Sequence, residues 1–211
     1  MSWCRVSDEV AAGDTRLVAL VDEALFAAAA RSQAHLRCRP GCTPCCIGPF
    51  DITVLDAARL LRWLVDRPMA AAALGRRARA AWGLMRSEYP GDPSCGLLSD
   101  DEEACRAFFD RFADVPCPAL EPSTGACEVY DHRPLTCRTF GLPTRYGDEL
   151  LAPCELNFRT ASPSEIAPAA TTPDPDDEEG LLLATVEAGG GVAGDTIVAA
   201  VLASTPGLET P

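Results

Sequence analysis

Four cysteines lie within nine residues of this chain, in the segment CRPGCTPCC at positions 38–46. Proline fixes the backbone φ angle and has no amide hydrogen to donate, so Pro40 and Pro44 interrupt helices and strands alike. Gly41 favours a turn between them. The segment is therefore expected to form an irregular loop that gathers its sulfur atoms, and the rest of the chain must fold around it.

Closely spaced cysteines serve in disulfides, in redox exchange or in metal binding. The segment MSWCRVSDEVAAGD lacks the basic and apolar regions of a signal peptide, and no apolar run reaches the roughly 18 residues of a membrane span. We therefore expect a cytoplasmic protein with no membrane partner. Disulfides are rare in that compartment, and a disulfide framework would leave the 11 cysteines of the chain unbalanced.

The spacing of Cys42 and Cys45 is that of a thioredoxin-type CxxC motif, whose thiols exchange disulfides. That motif belongs at a junction between a strand and a helix. Here the pair follows a predicted helix, lies among prolines and is joined by two further cysteines. A dithiol oxidoreductase is therefore disfavoured.

Eight cysteines fall into two groups along the chain. They are Cys38, Cys42, Cys45 and Cys46, then Cys117, Cys127, Cys137 and Cys154. Thiolates are soft donors that suit zinc and iron–sulfur clusters, both of which commonly take four of them. The pattern predicts metal binding, either at two four-cysteine sites or at one cluster with spare ligands, and it leaves the choice between zinc and iron open.

Cys45 and Cys46 are adjacent. Neighbouring side chains in an extended segment point to opposite sides. This pair is therefore expected to serve two metals, or one metal and one structural contact.

Several motifs follow in a fixed order: Cys117-Pro118-Ala119-Leu120, then Cys127-Glu128-Val129-Tyr130, then Arg133-Pro134-Leu135-Thr136-Cys137-Arg138. With the first cysteine group they make residues 38–157 resemble the YkgJ-type cysteine-cluster family, also called CxxCxxCC, which is described as zinc- or iron-chelating. The resemblance implies that the eight cysteines are ligands. The chain departs from the family pattern in the three residues between Cys38 and Cys42, and in the longer route to Cys154.

Flagellin lysine N-methylases carry a similar domain. The resemblance therefore also implies an alternative function, an iron- or iron–sulfur-dependent enzyme acting on a protein or peptide.

Arg133 and Arg138 flank Cys137 in the last motif. Four thiolates on a divalent ion leave a net negative site, so arginine donors beside them would offset charge and hydrogen-bond sulfur. The alternative is that both arginines pair with local carboxylates such as Asp131. His132 is a further candidate ligand, because imidazole suits zinc and iron. With eight thiols available, a surface turn is the favoured place for it.

The remaining cysteines and the other histidine receive structural roles. His35 lies near the end of the first predicted helix, where a cation offsets the helix dipole. Cys105 falls on an apolar helical stripe and is expected to be a small core residue. Cys4 and Cys95 have no partner spacing.

The net charge of −13 argues against a nucleic-acid partner, which requires clustered lysine and arginine, and it disfavours an anionic membrane surface. Alanine- and leucine-containing stretches favour helices. We predict them from Asp14 to about Leu36, from Thr53 to Pro68, over 69–88 and from Ser99. The caps are expected to be Asp14, Thr53 with Asp56, and Ser99 with Glu102. Residues 127–130 are the best candidate for a strand.

The predicted fold is a small single metal-binding domain, mostly α-helical, with an irregular cysteine-lined core and one short β-hairpin. The domain is expected to span residues 14–157. A linker rich in Pro, Ala, Thr, Asp and Glu is predicted over 158–180, and a C-terminal apolar segment over 181–211.

Overall fold

A computed structural model describes residues 5–39 and 41–204, so Cys4, Pro40 and residues 205–211 of the predicted apolar segment lie outside it. About 53% of the described residues are helical when the 3-10 turns are counted. The helices are α1 (Asp8–Arg31), α2 (Val54–Val65), α3 (Pro68–Met85), α4 (Glu102–Arg111), α5 (Leu135–Thr139), α6 (Pro163–Ala169), α7 (Glu178–Ala188) and α8 (Val198–Ala203). The mostly helical class is confirmed.

Short antiparallel sheets of two strands connect the helices. The strands are β1 (Asp51–Thr53), β2 (Gly91–Asp92), β3 (Leu97–Leu98), β4 (Thr144–Tyr146), β5 (Glu149–Leu151) and β6 (Asp195–Ile197). Strands β2 and β3 form one hairpin and β4 and β5 another, whereas β1 pairs with the distant β6, placing Ile52 opposite Thr196. The described chain therefore has two hairpins where the sequence predicted one.

The strand predicted at 127–130 was wrong. Cys127 makes only a single bridge to Leu120, and a 3-10 turn over Tyr130–His132 follows. Pro122 and a tight turn, closed by the Gly125 amide on the Glu121 carbonyl at 2.9 Å, leave the partner segment too short for a ladder.

Helix α8 lies at the centre of the hydrophobic core. Its sequence VAAVLA carries no polar side chain, and Val201 and Leu202 are fully buried against Leu60 of α2 and Leu74 of α3. A helix that is apolar on all sides is stable only when other elements surround it. Of the predicted C-terminal apolar segment, Val186 and residues 196–202 thus belong to the core. The boundaries of the domain stay a prediction, although the predicted linker includes α6.

Helix α1 begins earlier than the sequence predicted. Ser7 is its N-cap and accepts a hydrogen bond from the Val10 amide at 3.3 Å. The prediction that Asp14 is the cap was wrong, because its carboxylate is buried and pairs with Arg59 and Arg62. An aspartate before an apolar stripe suits either role, and a buried ion pair depends on distant residues. The stripe residues Leu17, Val21, Leu25 and Ala28 are buried as predicted, whereas Leu20 is exposed.

Helix α2 begins directly after Thr53 as predicted, but the capping box was wrong. The Thr53 hydroxyl donates to Glu179 Oε1 at 3.1 Å, and Asp56 Oδ1 accepts from the Leu135 amide at 3.0 Å. Helix α4 is capped by Asp101, not by Ser99. The Thr53 hydroxyl is bound to a distant residue, and at α4 the cap is Asp101, which is closer to the start of the helix than Ser99.

Across the ranges that the structure describes, none of the helices combines the length and the apolar character needed to cross a membrane.

Candidate metal centre

The loop that carries the first cysteine group consists of two consecutive turns. The Cys42 amide donates to the Arg39 carbonyl at 3.0 Å, and the Cys46 amide donates to the Thr43 carbonyl at 2.8 Å. The second turn is a 3-10 helix over Pro44–Cys46, with proline at a position where its missing amide costs no hydrogen bond. The loop is otherwise irregular, as its prolines and glycine predicted.

Cys46 is joined directly to the second cysteine group through the backbone. The Cys117 amide donates to the Cys46 carbonyl at 2.8 Å, and the Gly48 amide donates to the Val115 carbonyl at 2.8 Å. Gly48 has a φ of 91°, and a Cβ there would lie 3.0 Å from the Ala113 carbonyl oxygen. Glycine at this position thus allows the two segments to run side by side.

Cys127 is held beside Cys117 by a compact turn. The Leu120 amide donates to the Cys117 carbonyl at 3.0 Å, and the Glu128 amide donates to the Ala119 carbonyl at 2.9 Å. Both cysteines pack against the hydrophobic core at Ala119. These two thiols therefore lie between the protein interior and the cysteine loop.

Cys137 lies on the short helix α5, and side chains of α2 form hydrogen bonds with the backbone at the start of this helix. Asp56 accepts from the Leu135 amide, and Arg59 Nη1 donates to the Arg133 carbonyl at 3.2 Å. The Cys137 thiol interacts electrostatically with Cys117, Cys127 and Cys45. The buried charges of α2 therefore fix the start of the helix that carries Cys137.

Cys38 and Cys154 are connected by Asn157. Its side-chain amide nitrogen donates to the Cys38 sulfur at 3.3 Å and to the Gly141 carbonyl at 2.6 Å, and its backbone amide donates to the Cys154 carbonyl at 2.8 Å. A Cβ at Gly141, whose φ is 113°, would lie 3.4 Å from the Cys38 sulfur. Sequence reasoning missed Asn157, because a single asparagine has no spacing pattern that indicates such a contact.

Burial dominates the titration of the thiols nearest the core. It raises the pKa of Cys117 to about 11, raises the pKa of Cys127, and raises the pKa of Cys137 well above its ordinary value, and neighbouring thiols act in the same direction. The pKa of Cys42 is raised by burial and then by Cys38, Cys45 and Cys154. A bound cation would reverse this effect, because it stabilises the thiolate form.

The adjacent thiols of Cys45 and Cys46 share a hydrogen bond in which Cys46 donates. This bond lowers the pKa of Cys45 and raises the pKa of Cys46. The backbone there is a 3-10 turn and not an extended segment, so the argument from alternating side chains does not apply to this pair. That the pair serves two metals, or one metal and one structural contact, stays a prediction.

Arg133 and Arg138 have different surroundings. Burial raises the pKa of Cys127 overall, and the Arg133 guanidinium partly offsets this rise. At Cys45 the hydrogen bond from Cys46 lowers the pKa most, and the Arg133 guanidinium lowers it further. The Nε atom of Arg133 is buried and has no hydrogen-bond partner in the described part of the chain. The guanidinium stacks on the Tyr130 ring, 4.0 Å from its centroid.

Arg138 instead donates to oxygen acceptors. Its Nη1 atom donates to both carboxylate oxygens of Asp22, at 2.7 and 2.6 Å, and its other nitrogens donate to the carbonyls of Asp131 and Arg133. For Arg138 the alternative of pairing with a carboxylate is therefore the correct one, although the partner is Asp22 of α1.

The other candidates have structural contacts. The His132 ring packs on Trp63 at a centroid distance of 5.8 Å, and the His35 ring stacks on Phe158 at 5.1 Å. The Cys105 thiol donates to the Ser99 carbonyl at 3.4 Å. Within residues 5–39 and 41–204, no three or more histidine, cysteine, aspartate or glutamate side chains are already arranged to hold a metal ion.

The fold and the site define a small helical domain built around clustered thiols. Residues 37–155, more than half of the chain, match the family model described as "CxxCxxCC: Putative zinc- or iron-chelating domain". The chain belongs to this family. No curated protein and no solved structure matches it. The matched range includes all eight cysteines of the two groups, and the family description supports metal binding in general.

Proposed function

We propose that this protein chelates zinc or iron through eight cysteine thiolates: Cys38, Cys42, Cys45, Cys46, Cys117, Cys127, Cys137 and Cys154. The observation that carries the proposal is the hydrogen bond from the Cys117 amide to the Cys46 carbonyl, which brings two sequence-distant groups of soft donors together. The cytoplasm suits this function, because reducing conditions keep thiols available.

The residues present fit a thiophilic metal. Thiols must lose their protons to become ligands, and four thiolates on a divalent ion leave a net negative charge. Arg133 supplies a positive charge beside Cys45 and Cys127, and its buried Nε–H group lacks an acceptor in the described residues. A thiolate sulfur is an acceptor for such a group. Arg133 is therefore suited to stabilise the loaded site.

A bound metal would also supply folding energy. The centre has turns and short bridges where the rest of the domain has helices, and the cysteine loop carries only one 3-10 turn. Binding would replace the thiol hydrogen bond from Cys46 to Cys45, since both groups would be deprotonated. We expect metal to order this centre and to raise the stability of the whole domain.

The test is elemental analysis of protein purified without oxygen, together with its visible spectrum. A colourless protein with about one or two zinc ions per chain would identify a zinc site. Iron with inorganic sulfide and a broad band near 400 nm, roughly where thiolate-ligated clusters absorb, would identify an iron–sulfur cluster. A folded protein that takes up neither metal under reducing conditions would refute the proposal.

A second candidate function is an iron- or iron–sulfur-dependent enzyme that modifies a protein or peptide. The net charge of −13 favours a basic substrate. This candidate requires the iron-loaded form, and its visible spectrum should change when a lysine-rich peptide is added. A zinc-loaded protein with no affinity for such a peptide would contradict it.

A further inference from the structure

We infer that Asn157 is a positioning residue for Cys38: its side-chain amide holds the Cys38 sulfur and remains a hydrogen-bond donor to it when this cysteine binds a metal. The inference rests on the proposed function, in which Cys38 is a ligand. Asn157 thus belongs to the metal centre without being a ligand itself.

Asn157 is a buried polar residue, and both N–H groups of its side chain are used. Only 3% of the residue is exposed. Its Oδ1 atom accepts from the Arg37 amide at 2.8 Å, and its Nδ2 atom donates to the Gly141 carbonyl at 2.6 Å and to the Cys38 sulfur at 3.3 Å. A carboxamide has two N–H donors, so one serves Gly141 and the other serves Cys38.

The partners of Asn157 also fix the orientation of its amide group. Rotation by half a turn would place the NH2 group against the Arg37 amide and the oxygen against the Gly141 carbonyl, and both contacts would be repulsive. The atom that faces the Cys38 sulfur is therefore a donor. A metal-bound thiolate carries negative charge and is stabilised by such a donor.

Phe158 holds the neighbouring Asn157 in place. Its φ is 52°, in the left-handed region that a bulky side chain rarely occupies. The Phe158 amide donates to the His35 carbonyl at 2.9 Å, and its buried ring stacks on the His35 ring at a centroid distance of 5.1 Å. A strained conformation persists only where surrounding contacts fix it. Residues 157–158 are therefore fastened to residues 35–38 through both backbone and side chains.

Gly141 allows the amide and the sulfur to lie against the backbone that follows α5. A Cβ at this position, whose φ is 113°, would lie 3.4 Å from both the Asn157 Nδ2 atom and the Cys38 sulfur. The Asn157 backbone amide also donates to the Cys154 carbonyl at 2.8 Å. Asn157 is therefore the residue at which the segments that carry Cys38, Cys137 and Cys154 meet.

The first experiment is a double-mutant cycle in the full chain, loaded with zinc without oxygen and competed with a chelator of known affinity. Asn157→Asp keeps the size of the side chain and the acceptor for the Arg37 amide, but it replaces the donor with a carboxylate oxygen. We expect it to weaken zinc binding by about 10- to 100-fold in the native chain. In a Cys38→Ala background, which has no sulfur to hold, the same change should weaken binding by less than about threefold. Equal weakening in both backgrounds, or none in the native chain, would overturn the inference.

NMR of the native chain provides a test that does not depend on the folding of a variant. Asn157 and Gln33 are the only asparagine and the only glutamine in the sequence, so their side-chain amide signals are easily assigned. A hydrogen bond to a thiolate is stronger than one to a neutral acceptor. One Asn157 amide proton should therefore shift downfield when zinc binds, whereas the signals of the exposed Gln33 should not move. Unchanged Asn157 signals in the zinc-loaded chain would overturn the inference. A native chain that binds neither zinc nor iron would instead refute the proposed function.

Discussion

The amide of Cys117 donates to the carbonyl of Cys46 at 2.8 Å, so the last cysteine of one group and the first of the other are fixed side by side. The proximity of the two groups therefore depends on contacts between segments far apart in the sequence. Changes to a thiol, to a neighbouring charge or to a supporting helix should have separable effects on metal content and stability.

Cys45→Ser and Cys137→Ser should each lower the metal content, because a hydroxyl is a poor ligand for a thiophilic metal. Loss of a ligand should lower the free energy of unfolding by at least about 2 kcal/mol, or roughly 4–8 °C in Tm. Elemental analysis and thermal unfolding measure these effects. Cys105→Ser is the control, since the Cys105 thiol donates to the Ser99 carbonyl and a serine hydroxyl can make the same contact. Full metal content in both ligand variants would contradict the prediction.

Arg133→Met should weaken metal binding by about 10- to 100-fold, the usual effect of losing a residue that supports metal ligands. Arg133→Lys should recover part of the affinity, because it restores the charge but not the guanidinium geometry. Competition with a chelator of known affinity measures both variants. Arg106→Met, on the exposed side of α4, is the matched control. Equal affinity in Arg133→Met and Arg106→Met would show that Arg133 does not support the site.

Glu179 should make the stability of the protein depend on pH. Burial, followed by the nearby charge of Asp56, raises its pKa to about 7. The folded state therefore holds this proton more tightly than the unfolded state, so stability falls as pH rises from about 4.5 to about 7. Glu179→Gln removes the charge and can keep the contact with Thr53. We expect it to stabilise the protein at pH 8 by on the order of 1–3 kcal/mol.

Urea denaturation of the native chain and of Glu179→Gln at pH 5 and pH 8 measures this difference. The stabilisation should be smaller at pH 5, where the native glutamate is largely protonated in the folded state. Glu178→Gln, on the exposed start of the same helix, controls for the loss of one charge. An equal gain at both pH values would contradict the prediction.

Asp14→Ala should destabilise the protein strongly. Asp14 forms ion pairs with Arg59 and Arg62, and its removal leaves the buried Arg59 with Asp56 as its remaining carboxylate. Breaking a buried pair in this way costs about 3–5 kcal/mol. Because Arg59 also donates to the Arg133 carbonyl, metal affinity should fall as well. Glu23→Ala, exposed on the same helix, should change neither quantity.

Local patterns predicted helices α1 to α4, but not the short helices α5 and α6. The stripes that bury Leu17, Val21 and Leu25 follow from the 3.6-residue period, and Pro68 ends the preceding helix and starts the next. The caps were less predictable, because Asp14, Thr53 and Ser99 are all suitable capping residues. Asp14 accepts a hydrogen bond from Arg59, and Thr53 donates one to Glu179. Only the tertiary fold brings these partners close.

The cysteine spacing predicted the candidate ligands, which stay a prediction, but it did not indicate which cysteine segments lie side by side. Proximity along the chain places Cys46 with Cys45, whereas the backbone places Cys46 beside Cys117. The role of Arg138 depends on Asp22, more than a hundred residues earlier. Long-range contacts of this kind leave no periodic pattern in the sequence, so only the fold reveals them.

The pairing of β1 with β6 affects the order in which the nascent chain can fold. β1 follows the cysteine loop, yet its partner strand Asp195–Ile197 is made far later. During translation the cysteine loop therefore leaves the ribosome long before β6, the strand that pairs with the segment following the loop. Nascent chains therefore pass through an interval in which reactive sulfur is present without its mature framework.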